Sequence, residues 1–245
     1  MREAVSILDS EPFDSMPTNL LMENELMSLP HALKSIHFPI DSQDAANARK
    51  RLAFDELLIL QLGMLTMKNH SREKTAYIMD KNTDMTAFFG SLPFDMTDAQ
   101  KKSISDVIND MSTDSPMNRL LQGDVGSGKT AVAAAACYFA CQNGFQSALM
   151  APTEILAVQH YNTLKSFLEP IGVNVVLLTG SMTAKQKRIA KEALKSGEAA
   201  VAAGTHAIIQ KDVEFQRLGL VITDEQHRFG VAQRAALADK GNSPH

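Results

Sequence analysis

LLQGDVGSGKTAVAAAA, residues 120–136, is the stretch on which the fold turns. Two leucines lead into a glycine-rich loop, and the loop leads into an alanine-rich run suited to a helix that is covered on most sides. Within it, Gly123-x-x-x-x-Gly128-Lys129-Thr130 has the spacing of a P-loop between a strand and a helix. Gly123, Gly126 and Gly128 let the backbone wrap an anion and turn its N–H groups inward. The helix that begins at Lys129 adds the positive end of its dipole. Lys129 then bridges the β- and γ-phosphate oxygens, and the Thr130 hydroxyl ligates Mg²⁺. The stretch predicts a nucleotide site, with ATP and Mg²⁺ as its cofactors.

Downstream of this loop, short apolar runs alternate with helical periods. Strands are expected at RLLQ (119–122), QSALMAP (146–152), NVVLLTG (174–180), AAVAAGTH (199–206) and LGLVITDEQ (218–226). Helices are expected over 129 onward, TEILAVQHYNTLKSFL (153–168), TAKQKRIAKEALKSG (183–197) and VAQRAALAD (231–239). Strands that alternate with helices of this length make βα units on a parallel sheet covered on both faces. Ligands on such sheets bind beyond the carboxyl ends of the strands.

A P-loop ATPase needs a second site at the end of a strand near the loop. TDEQHRFG, residues 223–230, supplies it. Asp224 is the candidate to hold the metal and Glu225 the candidate to orient or deprotonate the attacking water. Two adjacent carboxylates repel, and a dication beside a phosphate chain relieves the repulsion. Gln226 and His227 follow where a nucleotide state could be passed to another surface.

Upstream, the chain is helical. Asp41-Ser42 caps a long amphipathic helix over about 42–69, with apolar positions at Leu52, Leu57, Leu58, Leu60, Leu62 and Leu65. Its Ala48-Arg49-Lys50-Arg51 cluster is read as a solvated face. Pro93 makes SLPFDM an extended linker, and Thr97 caps a helix over 97–111. The expected organisation is a helical linker segment over 1–90 and a P-loop domain over 91–245.

Composition narrows the function. The 245 residues carry a net charge of −4, with no basic run, so any contact with nucleic acid must be local and weak for this chain alone. No apolar run is long enough to span a bilayer, and the first residues lack a basic start and an apolar core, so a cytoplasmic location is expected. Cys137 and Cys141 have no histidine or carboxylate beside them and are expected to be inert, reduced thiols.

Asp224-Glu225-Gln226-His227, followed by Arg228-Phe229-Gly230-Val231 and Gln233-Arg234, resembles motif II of the RecG branch of superfamily 2 helicases. GDVGSGKT (123–130) resembles motif I, APTEILAVQH (151–160) motif Ia, LTGSM (178–182) motif Ib and GTHAIIQ (204–210) the motif after it. LPFDMTDAQ (92–100) resembles the family's glutamine-containing adenine motif, which implies Gln100 as the adenine contact. LPHALKSIHFP (29–39) and RLAFDELLILQLG (51–63) resemble the segments that join the wedge domain to the motor.

The resemblance implies a RecA-like α/β domain behind an α-helical linker. It implies ATP-driven translocation on duplex DNA, with remodelling of stalled forks and branch migration of Holliday junctions. Thr153, Gly180 and Thr205 are then expected to touch the DNA backbone, where small hydroxyls and bare N–H groups suit phosphate oxygens. The chain departs from the pattern after ADKGNSPH, where a threonine-alanine-threonine-proline motif and a second RecA-like domain would follow; most of the wedge domain is also absent. This chain is therefore expected to bind ATP and branched double-stranded DNA weakly and to unwind nothing, with an exposed apolar strip on its long helix. The motor of the transcription-repair coupling factor, a P-loop switch or kinase, and a non-catalytic remnant are the alternative readings.

Overall fold

The computed structural model describes residues 14–72, 77–225, 228–241 and 243–245. It forms two compact units, one ending at His70 and the other beginning at Ser71. The first unit holds helices α1 (Thr18–Glu23), α2 (Leu29–His37) and α3 (Ser42–Arg72). Pro30 sits in the first turn of α2, where its missing N–H costs nothing. Asp41 accepts from the Asp44 N–H at the start of α3.

A buried cation organises this unit. Arg51 on α3 is fully enclosed and meets Asp14 through two parallel bonds, Nη1 to Oδ2 at 3.0 Å and Nη2 to Oδ1 at 2.7 Å. Its Nε donates to Asp55 at 3.0 Å and its Nη1 also to the Met27 carbonyl at 2.9 Å. Asp14 accepts in turn from the N–H groups of Met16 and Leu29. The expected solvated face at 48–51 is thus corrected at Arg51. Arg49 and Lys50 are exposed, while Arg51 fills the interior, because a planar guanidinium can satisfy several buried acceptors at once. Further along α3, Leu57, Ile59, Leu60, Leu62, Met64 and Leu65 are exposed, as anticipated for the apolar strip.

The second unit begins with helices α4 (Thr86–Ser91) and α5 (Asp98–Met111), then α6 (Lys129–Gln142). Strands β1 (Gln146–Met150), β2 (Val175–Leu178), β3 (Val201–Gly204) and β4 (Leu218–Thr223) form one parallel sheet in the order β2-β3-β1-β4. Helices α7 (Glu154–Leu168) and α8 (Ala184–Ser196) follow β1 and β2, and α9 (Val231–Ala238) follows β4. The expected parallel α/β fold with flanking helices is what the chain adopts. Side chains of β1 alternate between the two covered faces. Leu149 enters a core with Phe139, Leu164 and Leu168, whereas Ala148 and Met150 enter another with Leu178, Ile208 and Leu237. Nine of the fourteen residues of α6 are buried, which explains its alanines: small side chains let a helix be enclosed almost all round. Burial also pushes the Cys137 thiol up to about 12 and raises that of Cys141, and both thiols are free.

Two expectations about organisation are revised. The boundary falls after His70 instead of at 90, because Met79, Met85 and Phe88 pack into the core of the second unit. The strand expected at 119–122 does not form. His245 occupies the outer edge of β4, donating to Gly219 O at 2.9 Å and accepting from Val221 N at 2.8 Å. Met117 N donates to Nδ1 of the same imidazole, so the segment before the loop contacts His245 where it would otherwise pair with β4, and Leu120 is left exposed.

The Arg51 hub makes a direct prediction. Asp14→Ala removes the two-bond partner of the buried Arg51 and leaves it only Asp55 and the Met27 carbonyl, which should cost the first unit about 3 kcal/mol, read as early loss of helical circular dichroism in a urea titration. Arg51, the largest influence, and the two backbone donors hold the Asp14 carboxyl down to about 2 against an ordinary 3.8. A lowered folded-state pKa stabilises above the ordinary value and is lost as pH falls through the folded one. The Asp14 contribution should therefore disappear between about pH 4 and pH 2 in wild type and be missing from the variant.

Candidate nucleotide-binding site

The loop 123–128 precedes α6, and α6 leads through Asn143-Gly144-Phe145 directly into β1. Helix and strand therefore run in opposite directions, and the first turn of α6 lies level with the carboxyl end of β1. Gly128 is the residue before α6 and adopts φ +80°, in the left-handed region that favours glycine. A Cβ there would lie 2.2 Å from Nε2 of Gln100, so a side chain would have to displace that amide as well as adopt a strained φ. Lys129 Nζ donates to the carbonyls of Gly123 and Asp124, each at 2.7 Å. An ammonium has three donors, so one N–H remains beyond these two.

Gln100 is fixed on both sides of its amide. Oε1 accepts from Thr97 N at 2.9 Å and Nε2 donates to Ser127 O at 2.8 Å. With Thr97 Oγ1 accepting from Gln100 N, it completes the capping box of α5. The residue expected at the adenine is thus tied to the phosphate loop as well, through a bond that spans 27 positions.

Asp224 follows β4, and its N–H donates to Met150 O at 2.9 Å, extending the β1–β4 pairing one residue beyond Thr223. The Asp224 carboxylate accepts from His160 of α7, with Nε2 and Oδ2 2.8 Å apart. Glu225 adopts φ +50°, a left-handed conformation that costs a non-glycine residue about 1–2 kcal/mol. Its carbonyl accepts from Arg228 N at 2.8 Å. Gln226 and His227, expected to couple nucleotide state to another surface, lie outside the described residues.

The donor set suits the expected ligands. The left-handed glycines leave a cradle of bare backbone for phosphate, and the Thr130 hydroxyl and Asp224 carboxylate are hard oxygen donors of the kind Mg²⁺ takes. Among the described residues no three His, Cys, Asp or Glu side chains gather into a metal cage. Mg²⁺ in phosphoryl-transfer sites does not use one, since it is held by one or two protein oxygens plus phosphate and water.

Of the residues expected at a DNA backbone, Thr153 and Gly180 come close together in the structure. Thr153 Oγ1 accepts from Leu156 N and caps α7. Next to it, Glu154 Oε1 accepts from Ser181 N at 2.8 Å, which holds the Gly180–Ser181 turn against the start of α7; the Ser181 side chain and then its N–H keep the Glu154 carboxyl below its usual range. Lys187 donates to Gly180 O. Thr205 is a correction: it is 3% exposed, its N–H donates to Leu178 O, and its Oγ1 is buried without a partner among the described residues. It opens the turn His206–Ile209 inside the sheet's cover, where its hydroxyl does not reach solvent. Sequence reasoning passed over Glu154 and His160. Both lie in the motif Ia stretch, and His160 stands seven residues after the cap Thr153, close to two full helical turns and so on the same side of the helix.

A parallel sheet with a phosphate loop, a carboxylate pair at a neighbouring strand end and a bridged Ia–Ib pair of turns defines a helicase-type P-loop domain. The chain belongs to the DEAD/DEAH box helicase family, whose pattern matches residues 97–241. It is 45% identical over 95% of its length to the ATP-dependent DNA helicase RecG of Synechocystis, and 47% identical over 96% to that of Bacillus subtilis. It spans 28% and 35% of the length of those two proteins. A structure of RecG bound to a three-way DNA junction superposes with a TM-score of 0.78 at 41% identity, over 89% of this chain and 30% of that one.

The Gly128–Gln100 contact is testable. Gly128→Ala should weaken ATP binding at least about tenfold, since a strained φ and a displaced amide bond together cost about 2 kcal/mol. Calorimetric titration with ATP would read this, and unchanged affinity would show that the loop tolerates the side chain.

Proposed function

We propose that this chain is the ATP-binding half of an ATP-dependent DNA motor that translocates on branched double-stranded DNA in recombination and repair, and that it works in the cytoplasm. The observation that carries the reading is the pairing of two chemistries in one domain: the glycine loop 123–128 at the start of α6, tied to Gln100, and the carboxylates Asp224–Glu225 at the end of β4. The residues up to His70 serve in this reading as the connection between a DNA-engaging domain and the motor, and the unit from Ser71 to His245 as the first motor domain. The relatives are about three times as long as this chain, so the second motor domain and the wedge are assigned to parts of the protein beyond these 245 residues.

The roles follow from the chemistry of each group. Gly123, Gly126 and Gly128 present backbone N–H groups to the phosphates, and Lys129 neutralises the charge that builds on them. Gln100, already aligned by Thr97 and Ser127, reads the base. Thr130 and Asp224 would hold Mg²⁺, which screens the phosphate charge when bound. Glu225 orients the attacking water and takes its proton. Thr153 and the Gly180 turn contact DNA phosphates through hydroxyl and N–H groups, positioning the duplex without reading its sequence. Gln226 and His227 relay the nucleotide state. Arginines that would stabilise the transferred phosphoryl belong to the second domain, and such a contact is worth about 10³–10⁵ in rate.

Fluorescent-ATP binding and steady-state ATPase, with and without a three-way junction, test this beside a Lys129→Ala control. Binding should be present in wild type and lost in the control, with turnover that the junction does not stimulate. Strong junction-stimulated hydrolysis by this chain alone would show that the motor needs no second domain, and an unchanged Lys129→Ala variant would remove the loop from the nucleotide site.

A further inference from the structure

His160 lies midway along α7, whose first turn adjoins the turns proposed to meet DNA, yet its side chain reaches the nucleotide carboxylate. Nε2 stands 2.8 Å from Oδ2 of Asp224, across 64 positions of sequence, with the two side chains 15% and 31% exposed. A carboxylate can only accept in this contact, so the Nε2 proton is donated to Asp224. Neither backbone needs the bond to stay in place. Helix α7 is capped by Thr153 and packs against β2 and β3, and Asp224 is anchored through its own N–H to Met150 O. What the side-chain bond adds is aim: it fixes the carboxylate's rotation and engages Oδ2, leaving Oδ1 without a protein partner among the described residues.

From these contacts we infer that His160 is a positioning residue for Asp224, and that α7 joins the metal-holding carboxylate to the Ia–Ib turns as a single rigid lever. The inference rests on the nucleotide reading of the site. Outer partners of this kind orient the oxygen that faces a metal and raise affinity without touching it. The lever is short. Seven residues of helix, about 10 Å, separate Thr153 from His160. At the Thr153 end, Glu154 grips the Ser181 N–H, and a Cβ on Gly180 would stand 3.0 Å from Glu154 Oε1. A shift of the gripped turn therefore moves α7, and α7 cannot move without turning the Asp224 carboxylate or breaking its bond to His160. Packed elements with discrete contacts at both ends are the physical means by which two sites couple.

The pair could instead serve stability alone, and metal binding separates the two roles. Mn²⁺ is the probe, followed by electron paramagnetic resonance during titration in the presence of ADP. Wild type, His160→Ala, His160→Gln and His160→Asn are compared, with ADP affinity in chelator and thermal unfolding as companions. His160→Ala should weaken Mn²⁺ binding about tenfold, while metal-free ADP affinity stays within about twofold. His160→Gln, whose amide N–H reaches close to the Nε2 position, should recover most of the loss. His160→Asn, one methylene shorter, should group with Ala, and it keeps the test alive if the alanine variant does not fold. Mn²⁺ affinities within about twofold across all the variants, with any change confined to thermal unfolding, would overturn the positioning role. A wild-type chain that binds neither ADP nor Mn²⁺ would overturn the nucleotide reading and this inference with it.

Discussion

The parallel pairing of β1 with β4 is the constraint on which the site depends. The register Met150↔Thr223 continues through the Asp224 N–H to the Met150 carbonyl, so the ladder ends only after the first carboxylate has been placed. Because the strands are parallel, both release their chains at the same edge of the sheet. β1 releases Ala151-Pro152-Thr153 and helix α7, and β4 releases Asp224-Glu225. The connection after β1 crosses β3 to reach β2, on the side of β1 away from β4. What brings a histidine of α7 to the aspartate after β4 is therefore the shared exit edge of the two parallel strands.

Much of this was legible in the sequence, and the legible parts share a cause. The four strands and the helices between them stand out because apolar runs and 3.6-residue periods are local signals. Lys129, Thr130, Asp224 and Glu225 stand out because few uses other than phosphate and metal chemistry put such groups at the ends of apolar runs. What escaped depends on distant partners. Arg51 looks like a solvated charge until Asp14, which lies 37 positions away, is brought against it. Leu120-Leu121 looks like a strand until His245 is found along β4. Thr205 looks like a phosphate contact until the turn that follows it closes over its hydroxyl. In each case local chemistry is compatible with two environments and only packing selects one.

Several residues that read as functional also carry a structural bond, and the two uses agree physically. Thr153 caps α7 with the same oxygen that is assigned to a DNA phosphate. An N-cap sits where unpaired N–H groups converge, and such a place attracts anions as well. Gln100 completes the capping box of α5 and holds Ser127 with the other half of its amide. A capping residue has little freedom, so tying it to the phosphate loop makes the start of α5 and the loop one piece. Pre-aligned donors lose little entropy when a ligand arrives, which is how modest polar contacts yield useful affinity.

The strained point of the site lies where motion would be most useful. Glu225 holds φ +50° immediately after a carboxylate fixed by backbone and side-chain bonds. Asp224 is thus rigid and Glu225 is held in a conformation that its own Cβ disfavours. A left-handed non-glycine residue persists only while its surroundings compel it, so a change in those surroundings shifts Glu225 before it shifts Asp224. The two carboxylates can therefore divide the work. Asp224, held by Met150 and His160, keeps its position, while Glu225, in the role proposed for it at the attacking water, is the carboxylate whose backbone responds to what binds nearby.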